Sequence, residues 1–300
     1  DVIDATLGAL IDDQGRLAVL ASADRAFREA SGPETAGYSP LSGRADLIEA
    51  IRRDCVPTDL VDESTAVVTP GGTGAIYQAV ANFLDPGEAA LTTSYFWGPY
   101  GMITERAGRW LERFETFADG GGLDVEAFAR ALEGLADRQE RVLVLLNTPC
   151  QNPTGYTFTA EEWDAIADAV ASASTRAAIT VLLDLAYLRF AVDAPDPWPA
   201  LRRILDHGPL LMAWTASKTF TRYGARVGGL VLVTPDDDLR AEITRVTNLT
   251  ARGTWTACNH AGQLAVQRLL TDPALAATAD RERAELLELL HHHVSDLGVG

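Results

Sequence analysis

Lys218 is the only lysine in 300 residues, beside 24 arginines that carry the rest of the positive charge. Arginine stays protonated in proteins, whereas a lysine amine can lose its proton and form a Schiff base with a carbonyl. Such a residue is either a survivor of drift towards arginine or a catalytic amine. Drift accounts for the missing lysines but not for the company of this one. It sits in Thr215-Ala216-Ser217-Lys218 and is followed by Gly224, Arg226 and Gly228.

Other segments have chemical potential but are weak alone. Asp184 closes an apolar run three residues before Tyr187, as a helix cap or as the partner of a buried cation. Gly71-Gly72-Thr73-Gly74 ends one predicted strand and opens a helix, where bare backbone N–H groups and the helix dipole favour an anion. It lacks the Gly-Lys-Ser/Thr of a P-loop and the spacing of a dinucleotide fingerprint, and by itself it reads as a tight turn. Asn152-Pro153-Thr154-Gly155 alone is a turn, and Arg226 alone is as well a surface charge. Ser217 beside Lys218 does not make a hydrolase, because adjacent residues give nucleophile and base poor geometry and no G-x-S-x-G elbow is present.

The elements that must position these residues alternate between short apolar strands and amphipathic helices. The pattern predicts an α/β fold with a mainly parallel sheet flanked by helices on both faces. Strands are expected at Ala66–Thr69, Ala89–Thr92, Val142–Leu146, Thr180–Leu183, Leu210–Trp214 and Gly229–Val233. Expected helices include Ala45–Arg53, Thr73–Leu84, Ala160–Ala171, Leu239–Thr247 and a long one from Ala274 to Val294. Ligands of such folds bind at the carboxyl ends of strands. The glycine turn, Asn147-Thr148-Pro149, Asp184 and Thr215 to Lys218 each follow a predicted strand there.

The net charge of −17 argues against a phosphate-backbone partner, so no nucleic acid is expected. Apolar runs such as Arg141 to Leu146 are too short to span a bilayer, and the opening Asp1-Val2-Ile3-Asp4 leads to the expectation of no signal peptide. Cys55, Cys150 and Cys258 are far apart and odd in number, which suggests free thiols without metal spacing in a reducing compartment. A cytoplasmic protein is expected. His291-His292-His293 reads as a solvated helix surface.

Taken in order, Gly72-Thr73-Gly74, Trp97-Gly98, Asn152-Pro153-Thr154-Gly155, Asp184-x-x-Tyr187, Thr215-x-x-Lys218 and Arg226-x-Gly228 resemble the aspartate aminotransferase family. These are fold-type I enzymes dependent on pyridoxal 5′-phosphate (PLP). The resemblance runs through nearly the whole chain. It implies that Lys218 joins PLP as a Schiff base and shuttles a proton, and that Asp184 keeps the pyridine nitrogen protonated. Tyr187 and Asn152 would bond the ring's O3′. Arg226, Thr215, Ser217, Gly72 and Thr73 would bind the phosphate, and Trp97 would stack on the ring.

Asn152, Trp97 and the segment of Gly8 would also touch substrate. The resemblance further implies a homodimer with shared sites. Tyr38 would reach the neighbouring subunit's phosphate, and Arg252 would grip a distal substrate carboxylate, with a structural salt bridge as its other reading.

It implies three parts: residues 1–17 associated with a small domain, 18–273 as the large PLP-binding domain, and 274–300 leading into a small α+β domain. The family arginine for the substrate α-carboxylate would fall beyond Gly300, so a fragment is expected. Tyr100 departs from a frequent histidine three residues after the stacking tryptophan. Gly71 replaces a frequent serine, and Thr256-Ala257-Cys258-Asn259 departs from the usual Ser-Asn-Pro-Pro.

The implied activity is ping-pong amino transfer between an acidic or aromatic amino acid and a 2-oxo acid. Other PLP chemistry (decarboxylation, racemisation, elimination) and an aminotransferase-like regulatory sensor are the alternatives. The sensor would need a basic DNA-binding segment that this acidic chain does not show.

Overall fold

A computed structural model describes residues 9–11 and 14–296. Seven strands form one sheet: β1 (Ser64–Thr69), β2 (Ala89–Thr93), β3 (Trp110–Phe114), β4 (Arg141–Asn147), β5 (Ala178–Asp184), β6 (Leu210–Thr215) and β7 (Gly228–Val233). Their spatial order is β1-β7-β6-β5-β4-β2-β3. β3, β2, β4, β5 and β6 run parallel, and β7 lies antiparallel between β6 and β1. The mainly parallel expectation holds, and all six predicted strands are present.

The eleven α-helices among the described residues are α1 (Ala21–Glu29), α2 (Ala45–Cys55), α3 (Gly71–Phe83), α4 (Pro99–Arg106), α5 (Val125–Ala136), α6 (Ala160–Ala173), α7 (Trp198–Leu205), α8 (Ala216–Thr219), α9 (Asp237–Thr254), α10 (His260–Thr271) and α11 (Pro273–Asp296). Strand side chains alternate between two cores, as a two-residue period requires. Val142, Val144, Leu146, Val181, Leu183, Met212 and Val231 face the core covered by α1, α2, α5, α6, α7 and α10. Leu143, Leu145, Leu182, Leu211, Leu230 and Leu232 face the core covered by α3, α4 and α9. Both faces are dry, which is why these strands read as continuous apolar runs. Each fully buried aliphatic side chain contributes about 1.5–3 kcal/mol.

Three expectations are revised. α3 starts at Gly71 rather than Thr73, with Pro70 at the N-cap and Gly71 taking the positive φ (+77°) of the turn out of β1. α9 extends seven residues beyond Thr247, despite the poor helix formers Thr247, Asn248 and Thr250. Asp236 caps its start through Leu239 N–H at 2.9 Å, and Gln78 Nε2 anchors the carbonyl of Thr247 at 3.0 Å. β3 was not anticipated, because it is an edge strand with Trp110 and Arg113 exposed.

Register assembles the rim. Asn147 pairs with Asp184, while Thr215 and Thr69 both pair with Gly228. The carboxyl ends of β4, β5, β6 and β1 therefore meet the start of β7 along one edge. A Cβ on Gly228 would lie 2.5 Å from the Gly71 carbonyl carbon, so only glycine lets the glycine turn close over β7.

Candidate active site

A cavity of about 500 Å³ opens above this rim. Lys218, Asp184, Tyr187, Asn152, Trp97, Thr215, Ser217, Arg226, Gly72 and Thr73 all line it. Tyr38 and Arg252 do not: Tyr38 is 91% exposed, and Arg252 is exposed in the last turn of α9. Gly8 lies outside the described residues.

Asp184 is buried at the end of β5. Its Oδ2 accepts the Tyr100 hydroxyl at 2.7 Å, and its Oδ1 accepts Ala186 N–H at 3.2 Å. Burial pushes its pKa up to about 6, while those two bonds and the Lys218 charge pull the other way. Tyr100, from α4, is completely buried, and its phenol is raised well above its usual range by burial and the neighbouring carboxylate. It is therefore a fixed donor. Trp97 meets the Tyr100 ring edge-on at 5.6 Å, so one tyrosine supports both a cavity wall and the buried carboxylate.

Asn147 is the hinge that sequence reading did not single out for a role. Its Nδ2 donates to the carbonyl of Asp184 at 3.0 Å, and its Oδ1 accepts Asn152 N–H at 2.7 Å. It thereby ties the Asn152 loop to the end of β5. Burial first and Asp184 next raise the Tyr187 phenol above its usual range, while the Asn152 side chain pulls the other way.

Lys218 projects from α8, whose N-cap Thr215 accepts Ser217 N–H at 3.2 Å. Its amine lies 4.7 Å from the centre of the Tyr223 ring and 6.0 Å from that of Tyr187. Burial and then the Arg226 charge hold its pKa below the ordinary lysine value, with Asp184 opposing. Tyr223 went unnamed at the sequence level, although an aromatic five residues beyond the lysine was a visible signal.

Arg226 adopts the left-handed region (φ +53°) and donates to Pro70 O at 3.0 Å, Ser217 Oγ at 3.2 Å and Tyr223 O at 3.1 Å. Gly71 (φ +77°) abuts it, and a Cβ there would stand 2.5 Å from Arg226 Nη2. The resulting cup is made of a guanidinium, the Ser217 and Thr215 hydroxyls and the N-terminus of α3, a donor set suited to a phosphate monoester.

Comparison with known proteins settles the family. The family model described as "Aminotransferase class I and II" matches residues 1–298. The chain belongs to that family. Among curated relatives, a tyrosine aminotransferase of Klebsiella pneumoniae is 28% identical, the match spanning 96% of this chain and 75% of the relative. An aspartate aminotransferase of Pseudomonas aeruginosa is 26% identical, spanning 95% and 72%. The solved aminotransferase of Anaerococcus prevotii superposes with a TM-score of 0.87 at 28% identity, covering 98% of this chain and 73% of that one.

The fold is that of fold-type I, and this aminotransferase is PLP-dependent. The residues present suit that cofactor: the cavity has room for it, Gly71 lets the Arg226 guanidinium close against the phosphate cup, and a buried carboxylate suits a cationic ring nitrogen.

Proposed function

We propose that Lys218, Asp184 and Arg226 form the functional core of this transaminase, with Lys218 as the covalent attachment point for PLP through a Schiff base. The observation carrying this is their convergence on one cavity at the strand ends. When bound, PLP supplies an electron sink for negative charge at the substrate Cα.

Lys218, with its lowered pKa, takes and returns the proton at that carbon. Asp184 holds a proton on the ring nitrogen, with Tyr100 keeping the carboxylate oriented. Tyr187 and Asn152 would bond the ring oxygen, and Trp97 would cover the ring. Arg226, Ser217, Thr215, Gly72 and Thr73 would hold the phosphate.

We assign the substrates to amino acids with acidic or aromatic side chains and their 2-oxo acids; the relatives in Klebsiella and Pseudomonas are named for tyrosine and aspartate. The exposure of Tyr38 and Arg252 suits residues that serve a second subunit's site in a homodimer. Arg252 would there pair with a distal carboxylate, and Gly8 would approach substrate. Residues 18–273 form the cofactor domain in this reading, with 1–17 and 274–300 belonging to a smaller one. Among the described residues no helix is long and apolar enough to cross a membrane, and the reading places the protein in the cytoplasm.

The test is a half-reaction. PLP-loaded protein given aspartate, glutamate or tyrosine alone should release one equivalent of 2-oxo acid per site and stop, resuming only when a second 2-oxo acid is added. Release of carbon dioxide or ammonia instead would replace transamination by another reaction.

A further inference from the structure

The helix that carries Lys218 is held from outside. α8 has four residues, far fewer than a helix needs to persist by its own hydrogen bonds. Carbonyls of its N-cap and of the turn itself find partners nearby. Thr215 O accepts the Thr219 hydroxyl at 2.8 Å, Ala216 O accepts Phe220 N–H at 3.0 Å, and Lys218 O accepts Thr221 N–H at 3.1 Å. Thr219 O accepts twice from a residue 64 positions away, from Arg283 Nε at 3.1 Å and Nη2 at 2.9 Å.

Arg283 belongs to α11, and its side chain is 6% exposed. Its guanidinium carbon lies 5.9 Å from the centre of the Phe220 ring, and Nη1 bonds Asp280 at 2.7 Å. The residues after Phe220 are tied equally far afield. The Thr221 hydroxyl accepts Leu20 N–H at 2.9 Å, Arg222 donates to Asp24 at 3.0 Å, and the Tyr223 hydroxyl accepts Leu10 N–H at 3.0 Å. The N-terminal stretch and α11 are themselves joined, because Ser22 donates its hydroxyl to Glu282 at 2.7 Å.

We propose that Arg283 is a positioning residue for Lys218, fixing from α11 the turn from which the amine projects, so that the placement of the amine follows the placement of α11. The proposal rests on the reading of Lys218 given above. Burying a guanidinium is costly, and an aliphatic side chain would pack α11 against Phe220 at less expense. What the guanidinium adds is a directional grip on the last carbonyl of the lysine turn. A lysine side chain is a lever of about 6 Å, so a tilt of ~10° in the turn shifts the amine by about 1 Å, enough to cost on the order of 100-fold in a reaction rate.

The test compares two ligands on the whole protein. PLP uses the Lys218 amine for attachment. 4′-Deoxypyridoxine 5′-phosphate carries a methyl group in place of the aldehyde and fills the same site without engaging the amine. Arg283→Leu should weaken PLP by about tenfold or more, slow the appearance of its visible absorption band, and leave the affinity for the deoxy compound nearly unchanged. Arg283→Lys should restore part of the loss.

Equal weakening of both ligands, or of neither, overturns the proposal. Should Arg283→Leu fail to fold, Arg283→Lys bears the same comparison, with a PLP-selective loss expected and a parallel loss overturning. A Lys218→Ala control separates the two claims. If it binds PLP as tightly as the parent, the reading of Lys218 itself falls; if it loses PLP selectively while the Arg283 variants do not, only the role of Arg283 falls.

Discussion

Removing the Tyr100 hydroxyl tests the electrostatics of the site most directly. Tyr100→Phe deletes the 2.7 Å bond to Asp184 Oδ2 and leaves a ring of nearly the same shape against Trp97. A hydrogen bond to a buried charge contributes about 1.5–3 kcal/mol, equivalent to roughly one to two pKa units. The Asp184 carboxyl would rise from about 6 to about 7–8. A ligand whose ring nitrogen needs the ionised carboxylate must then meet the cost of deprotonating it.

The ratio of PLP dissociation constants, variant over parent, cancels the ligand's own titration. It should be about twofold or less at pH 8 and roughly 5–50-fold at pH 6. Equilibrium binding to cofactor-free protein across this range gives the ratio. The control is a PLP analogue with carbon in place of the ring nitrogen, for which the ratio should stay flat with pH. A flat ratio for PLP itself, or the same rise with the carbon analogue, would refute the argument that Tyr100 acts through Asp184 on that nitrogen.

Other consequences follow from individual contacts. Asp184 keeps its proton better in the fold (about 6) than in the unfolded chain (near 3.8), so its contribution to stability is intact below about pH 4 and lost as pH rises through about 6. That loss is ~3 kcal/mol, and Asp184→Asn should remove this part of the pH dependence of urea unfolding of the cofactor-free protein. Gly71→Ala drives a Cβ to within 2.5 Å of Arg226 Nη2 and should weaken PLP by about tenfold while leaving phosphate-free pyridoxal little affected, as read by equilibrium binding. Trp214→Phe removes the indole bond to Asp54 at 2.8 Å, leaving a buried carboxylate to Arg189 alone, and should lower urea-unfolding stability by about 1–3 kcal/mol.

The residues that line the cavity were legible in the sequence because they follow strands that announce themselves as apolar runs, and because the lysine is alone among arginines. Their supports were not legible in the same way. Tyr100 and Asp184 are 84 residues apart, Asn147 and Asp184 are 37 apart, and Thr219 and Arg283 are 64 apart. No local period or propensity links such pairs, which meet only when sheet order and helix packing are set. Tyr100 was visible as a departure, but its role needed the position of α4. β3 escaped for a different reason, since an exposed edge strand carrying Glu112 and Arg113 has no continuous apolar run to display.

The charges of the ligand-free site are mutually costly, and the cost has a direction. At the β5 end a carboxylate is buried deeply enough to prefer its proton up to about pH 6. At the cup, Arg226 raises the price of protonating Lys218. The Tyr100 and Ala186 bonds relieve part of the first cost, and Asp184 and Lys218 offset one another only in part against burial. A ligand carrying an anion for the cup and a cation for Asp184 relieves both at once, and PLP with a protonated ring is such a ligand. Its phosphate would screen Arg226 from the lysine, and its ring nitrogen would give the carboxylate an opposite charge. Cofactor binding should therefore stabilise the fold most where Asp184 is ionised, so the gain in unfolding temperature on adding PLP should grow from about pH 5 to about pH 7. A gain that does not change over that interval would mean that Asp184 does not meet the ring nitrogen as a charge.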